Sequence, residues 1–430
     1  MAEPSLIQVG VIGGGAAGFF AAIACAEAHP HAQVQLLEAG PTPLTKVSIS
    51  GGGRCNVTHH CFEPAALVQS YPRGGKALRG AFSRFQAKDT VDWFLRRGVR
   101  LKTEADGRMF PITDDSGTII DCLMGEARRV GVRIRTGAAV RTLQKTGSRF
   151  EVTLRSGEAL RFDRILLATG SQSIGYTLAQ SLGHTIIPPV PSLFTFNIKD
   201  KALHELAGVA IDPVTVTLKV PGEKPLVQMG PLLITHWGLS GPAVLKLSAW
   251  GARYLYEKRY QAELLISWLP TLSPEAIRQK LLEAKAQQGK KQIENFCPVD
   301  LPRRLWQYLV LERAQLGASL TWANLSKAGL QALVQELSQG VFAIAGKGVF
   351  KDEFVTCGGV SLKEVDFKTM ESRICPGLYF AGEILDIDGI TGGFNFQNAW
   401  TTGWLAGQAL GQVQALPIAP VEQTGVKSRA

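Results

Sequence analysis

The sequence predicts an α/β fold: one parallel sheet is assembled from both ends of the chain and split by an inserted β-rich section and a helical section. Three observations predict it. Residues 7–38 read strand, glycine-rich turn, helix, strand, the order of a βαβ unit. Two later apolar runs, Arg164–Ala168 and Gly377–Gly382, read as buried strands that end in a glycine turn. Between them the character changes at Pro188-Pro189-Val190-Pro191 and changes back after Gly346-Lys347-Gly348.

In order, Ile7–Ile12 (IQVGVI) is the first strand, Ala16–Ala28 a small-residue helix and Gln33–Glu38 (QVQLLE) the second strand. A glycine-rich loop at 50–58 leads into a basic helical stretch to about 98. Short strands fill 131–168, with a hairpin at Ser156-Gly157. These make up the first part of the sheet domain, 1–189. An inserted β-rich domain is expected over 190–270, with Val214–Val220 as a strand. A helical domain follows over 271–346, with Ser273 as N-cap and Pro274 at the first helical position. The second part of the sheet domain, 347–430, holds a last helix over roughly 395–412 and a polar tail after Pro417.

At ~150 residues per domain, 430 residues suit two to three domains. A hydrophobic share of 45% with 19% charged residues excludes a disordered chain. No apolar run approaches the ~18 residues of a membrane helix, and the first strand starts too early for a leader. A cytoplasmic protein without a membrane partner is expected. The cysteines (Cys25, Cys55, Cys61, Cys122, Cys297, Cys357, Cys375) are scattered without a CxxC pair, which argues against disulfides, a dithiol centre and a metal site.

The net charge of +10 favours anionic partners. Residues 71–102 hold nine Lys/Arg against Asp89 and Asp92, and residues 190–350 hold 18 Lys/Arg against 12 Asp/Glu. Arg73, Lys76, Arg79, Arg84, Arg96 and Arg97 in the first stretch are candidate RNA contacts. Lys290, Lys291, Arg303 and Arg304 in the second are others. The alternative for all of them is a solvated helix face.

Gly13-Gly14-Gly15-Ala16-Ala17-Gly18 satisfies GxGxxG between a strand and a helix. Gly13 permits the tight turn, Gly15 lets backbone approach a pyrophosphate, and Gly18 lets helix pack on strand. Glu38, twenty residues past Gly18, is placed to bind ribose hydroxyls. The strand Arg164–Ala168 ending in Thr169-Gly170, and a second glycine-rich turn before the last helix, favour FAD over NAD. No second GxGxxG exists, so NAD(P)H would dock transiently as electron donor.

Three blocks then coincide: Gly51–Thr58 (GGGRCNVT), Ile234–Pro242 (ITHWGLSGP) and Tyr379–Gln397 (YFAGEILDIDGITGGFNFQ). With GGGAAG and Thr356–Val360 (TCGGV), they resemble the BaiN/YhiN-type flavoprotein family over nearly the whole chain. The resemblance implies a split Rossmann-like FAD-binding domain of the glutathione-reductase type. It also implies a flavin-dependent reductase of conjugated C=C bonds, acting on uridine in large-subunit ribosomal RNA or on ring enones. Some relatives are amine oxidases. By motif, Gly13, Gly15, Ala17, Gly18 and Glu38 would hold the ADP half, and Lys46, Gly52, Arg54, Cys55 and Asn56 would line the pyrophosphate–isoalloxazine side. Gly382, Glu383, Gly393, Asn395 and Phe396 would close over the flavin.

Gly51, Gly52 and Gly53 give a backbone that can lie against a flat ring. Arg54 is a candidate to offset charge at reduced flavin N1 or at a phosphate. Cys55 reads either as a nucleophile activated by Arg54 or as a small packing residue. His236 is a candidate proton donor, or the anchor of a tight turn. Asp386 and Asp388 would bond the ribityl chain or cap a loop. Trp237, Trp400 and Trp404 would stack on a ring, or in the case of Trp400 and Trp404 fill the core.

The leading expectation is hydride transfer from NAD(P)H through FAD to uracil in ribosomal RNA. The alternatives are a small-molecule enone reductase, an amine oxidase, or an RNA-binding factor whose flavin does not turn over.

Overall fold

The computed structural model describes residues 6–348 and 355–412; the polar tail after Pro417 lies outside the described residues. A seven-stranded sheet runs in the order Val365–Asp366, Glu371–Ser372, Leu378–Phe380, Arg164–Leu167, Ile7–Ile12, Ala32–Leu37, Arg133–Arg135. The last five are parallel, and the first two add as antiparallel edge strands. The central strand is apolar on both faces because helices cover both sides.

On one face the helix Ala16–Ala28 packs along the last helix, Phe394–Leu410. Small residues make this approach possible. A Cβ on Gly403 would lie 2.8 Å from the Ala17 carbonyl oxygen, and one on Gly407 2.6 Å from that of Ala21.

The insert is a closed six-stranded barrel in the order Phe196–Ile198, Gly238–Ser240, Leu226–Thr235, Ala210–Leu218, Ala262–Ser267, Gly340–Lys347. Its closing strand comes from the section read in the sequence as the end of a helical domain. Gly340 stops the helix Lys327–Gln339, and Gly340, Phe342 and Ile344 then alternate inward. The helices Pro274–Gln287, Arg303–Tyr308 and Lys327–Gln339 pack on the same barrel. Val216, Ile266 and Phe342 of the barrel share one cluster with Ile277, Trp306 and Leu333 of the helices. A boundary at 270 therefore falls inside one continuous core.

The chain crosses between sheet and insert twice, through Ile186–Ser192 and Val355–Val360, which pair antiparallel. The proline run lies in the first of these strands, at an irregularity between Ile187 and Val190. Gly358 and Gly359 (φ 111° and 133°) squeeze the return strand between Pro188 and Ile384. The edge at 189/190 thus falls within a strand shared by both units.

Candidate functional site

Ile7–Ile12, Arg164–Leu167 and Leu378–Phe380 end level with one another, Ile12 opposite Leu167 and Leu167 opposite Phe380. The turns that follow converge at the carboxyl edge of the sheet, where open α/β sheets bind ligands. Gly13 takes φ 114°, and a Cβ there would lie 2.3 Å from the Ala168 carbonyl oxygen. A Cβ on Gly18 would lie 1.9 Å from the Gly13 carbonyl oxygen. The Cβ position of Gly15 meets nothing within 4 Å, so the first amides of the helix opened by Ala16 and Ala17 face free space. Oε2 of Glu38 accepts from the Gly14 amide and Oε1 from that of Gly40, both at 2.7 Å. That fixes the carboxylate and leaves each oxygen a lone pair for a ribose hydroxyl.

Further along the edge, Lys46 pairs with Glu383 at 2.7 Å and donates to the Ser171 hydroxyl at 3.3 Å. Glu383 also accepts from the Thr356 amide at 3.0 Å, which ties TCGGV to this spot. The Cβ position of Gly170 lies 3.7 Å from the Glu383 carboxylate. Beside it Thr169 Oγ1 is buried with no hydrogen-bond partner among the described residues, a group that a bound ligand would satisfy. Gly382 (φ 77°) sits so near Ala17 that a Cβ would come within 2.8 Å of it.

Gly51, Gly52 and Gly53 all take left-handed φ (58°, 71°, 84°), and the Cβ positions of Gly52 and Gly53 meet nothing within 4 Å. The result is a strip of bare backbone.

The last helix begins at Gly393 (φ 92°), and the amides of its first turn carry the positive end of its dipole. Its entry loop is tied on every side. The Asn56 amide donates to the Thr58 carbonyl and accepts from the Gly393 amide, both at 3.0 Å. Asn395 bonds the Gly389 amide at 2.8 Å and its carbonyl at 2.9 Å. Tyr71 donates to the Phe394 carbonyl at 2.6 Å. His59 stacks on Phe394 with centroids 4.6 Å apart, and its Nδ1 donates to the Gly392 carbonyl at 3.0 Å.

Several expected site residues do other work. Arg54 is neutralised by Glu104 (2.6 Å) and Asp114 (3.4 Å) and lies over the Phe110 ring, so its charge is turned to carboxylates rather than toward a flavin. Cys55 is fully buried and burial pushes its thiol up to about 12, which removes the nucleophile reading. Asp388 is also fully buried, held by Arg73 and by the Ser192 hydroxyl at 2.8 Å, and so closes the loop rather than serving the ribityl chain. That same pairing withdraws Arg73 from phosphate contact.

Arg97 is likewise engaged, with Glu27 (2.7 Å) and Glu126 (2.9 Å), over the Trp93 ring. Arg304 is exposed but donates to the Glu205 carbonyl, and Arg303 reaches Asn295 at 3.3 Å. Lys76, Arg79, Arg84, Arg96, Lys290 and Lys291 stand exposed. Trp400 is core, donating to the Val57 carbonyl at 2.8 Å and stacking on Phe396. His236 sits exposed in the barrel turn between Leu226–Thr235 and Gly238–Ser240.

The sequence reading passed over Lys246. It lies on the helix Pro242–Trp250, whose Leu245 packs against Leu193, Ala249 and Val355, as does Ile390 of the loop 386–393 before the last helix (hereafter the flavin-side loop), in a small cluster that joins insert to sheet domain. Lys246 is half-buried and has no acidic partner among the described residues. Its charge is near enough to His59 to oppose protonation there, while burial is the larger cause of the lowered His59 pKa. Only this helix of the insert, placed against a loop far along the chain, creates this site.

The donors present fit FAD: bare backbone at Gly15, Gly52 and Gly53, fixed Glu38, the orphan Thr169 hydroxyl, and two helix N-termini at one edge. A family profile described as HI0933-like protein Rossmann domain matches residues 7–409. A 3-dehydro-bile acid Δ(4,6)-reductase of Clostridium scindens is 32% identical over 94% of this chain and 98% of its own. The ribosomal RNA dihydrouridine synthase of Escherichia coli is also 32% identical, over 93% of this chain and 97% of its own. In fold, a 3-ketosteroid-Δ4-(5α)-dehydrogenase of Rhodococcus jostii superposes with TM-score 0.50 at 15% identity, over 96% of this chain and 99% of its own. The chain belongs to the HI0933-like, BaiN/YhiN-type family of FAD-dependent oxidoreductases.

Proposed function

We propose that this oxidoreductase reduces a conjugated carbon–carbon double bond, uridine to dihydrouridine in large-subunit ribosomal RNA, with NAD(P)H as electron donor. The observation that carries the reading is Lys246, a half-buried cation without an acidic partner at the junction of insert and flavin-side loop. FAD, when bound, supplies the hydride. Lys246 meets the negative charge that gathers on the substrate carbonyl as the double bond is reduced, a role worth most where water is excluded. As an ammonium group it also holds a proton for the adjacent carbon.

His59 acts as a positioning residue. By donating Nδ1–H to the Gly392 carbonyl it fixes the loop that starts the last helix. A uracil and a ring enone present the same conjugated carbonyl, so this site serves either. RNA is favoured by the exposed Lys76 and Arg79 on the helix Gly75–Phe82, which starts beside the Asp388 loop.

The test is anaerobic stopped-flow of the flavin absorbance. NADPH is expected to bleach it, and protein-free large-subunit ribosomal RNA to restore it while dihydrouridine forms. Restoration by a cyclic enone alone assigns a small substrate, and direct bleaching by an amine overturns the reductase reading. Absence of bleaching by either NADPH or NADH removes the nicotinamide donor.

A further inference from the structure

The helix Gly75–Phe82 starts at the flavin-side loop, where a Cβ on Gly74 would lie 2.5 Å from Ile387. About 12 Å further on, at ~1.5 Å per residue, it reaches the edge of the main sheet. There it faces the segment 362–373, which supplies the two antiparallel edge strands. Between them opens a cleft of about 910 Å³, lined among others by Gly80, Arg84, Lys363, Phe367, Lys368 and Arg373.

Four cations thus face one cleft, and among the described residues the one acid on its wall is Asp366. Asp366 is occupied: it accepts from the Lys368 amide at 3.0 Å and lies 3.7 Å from Arg373. Lys363, Lys368 and Arg373 are exposed, and among the described residues none of their side chains meets a carboxylate closer than that contact. Arg84 bridges the walls by donating to the Lys368 carbonyl, and its guanidinium lies 5.9 Å from the Trp404 ring. Trp404 in turn stacks on Phe85 at 5.2 Å. Gly80 presents no side chain, so helix backbone forms part of the wall. Lys76 and Arg79 lie on the same helix, between this cleft and the flavin-side loop.

We propose that this cleft is a docking site for the sugar–phosphate backbone of single-stranded RNA flanking the nucleotide at the flavin. The inference rests on the RNA reading above and adds a binding site outside the reaction centre. Lys363, Lys368 and Arg373 neutralise phosphates, while Phe367 offers a ring at the same wall for an unstacked base. The basic track from cleft to flavin-side loop sets the direction of the strand. A small enone has no use for such a cleft.

The test uses the full-length flavoprotein and a fluorescein-labelled poly(U) 12-mer, with anisotropy read across a KCl series. For the K363A/K368A/R373A variant, the slope of log affinity against log salt should fall by about 2, at ~0.7 per lost phosphate contact on a single strand. Its kcat/KM on protein-free large-subunit ribosomal RNA should fall at least ~10-fold over the same salt range, with the rate on a cyclic enone unchanged. The K363A/K368A variant keeps the Arg373 contacts to Asp366 and Val365 and guards against misfolding; its slope should fall by about 1.4. If both variants bind poly(U) with the wild-type slope while wild type makes dihydrouridine, the cleft proposal is overturned and the RNA reading stands. If wild type neither binds RNA nor forms dihydrouridine, the RNA reading itself fails. Capture of an acidic peptide in place of RNA overturns the cleft as an RNA site.

Discussion

Arg73 and Asp388 meet as a bidentate ion pair across 315 residues of sequence, with the carboxylate fully buried and the Ser192 hydroxyl donating to it. Three parts of the chain are joined there: the start of the basic stretch, the flavin-side loop and the strand that leads into the insert. Removing one partner strands the other in a dry site. Arg73→Ala should cost ~3–5 kcal/mol, read as a lower guanidinium chloride midpoint with loss of bound flavin. The salt dependence of RNA binding in the folded fraction should stay at the wild-type slope.

Gly18→Ala places a methyl group 1.9 Å from the Gly13 carbonyl oxygen. The helix must move off its turn, so the purified variant should carry little or no flavin by its visible absorbance. Retention of full flavin would show that the turn relaxes freely.

Cys55→Ala should keep flavin and turnover, losing about 1 kcal/mol of stability from the small cavity. In the wild-type protein, with the thiol pushed up to about 12 and buried, iodoacetamide at pH 8 should label the half-buried Cys61, Cys122 and Cys297 before Cys55. Mass spectrometry of the labelled peptides reads this directly.

The buried His184 lies between Glu364 (Nδ1, 3.1 Å) and the Ser372 hydroxyl (Nε2, 2.9 Å), and burial holds its pKa below the ordinary histidine value. The unfolded chain therefore binds a proton that the folded chain refuses. Stability from this site is present above pH ~6.5 and is lost as pH falls toward the folded value. His59, lowered for the same reason, adds with the same sign. Denaturation midpoints measured from pH 8 down to 5 should fall, and His184→Gln should flatten the slope.

Lys246→Met should leave NADPH bleaching of the flavin unchanged and slow substrate-dependent reoxidation by roughly 10²-fold, the scale of losing one charge-stabilising group. Lys246→Arg should restore part of that loss. Equal slowing of both half-reactions would place Lys246 in flavin binding instead.

What was legible in the sequence is what is local. The unit from Ile7 to Glu38 reads correctly because its turn, helix and strands are neighbours and each glycine answers a backbone constraint a few residues away. The closing strand of the barrel was hidden because Gly340–Lys347 pairs with Phe196–Ile198, far back in the chain, and a short strand after a helix carries little signal of its own. Arg73 and Arg97 read as free cations, candidate RNA contacts or a solvated face, for a similar reason. Charge is visible in a sequence, but Asp388 and Glu27, which neutralise it, lie in distant segments. Lys246 escaped notice because it lies just past the block Ile234–Pro242, within an otherwise apolar helix; the domain junction alone makes it unusual.

The helix Ala16–Ala28 is buried on nearly every side from Ala17 to Cys25, and much of that cover is the helix Phe394–Leu410. The two are far apart in the sequence, so one is synthesised well before the other. At ~5–20 residues per second, the first waits roughly 20–70 s for the second to leave the ribosome. The strand Leu378–Phe380 arrives equally late. For that interval the nascent N-terminal segment is an apolar helix without its mate. A chain cut short before residue 394 lacks the helix that covers Ala17–Cys25 and so leaves that apolar surface bare.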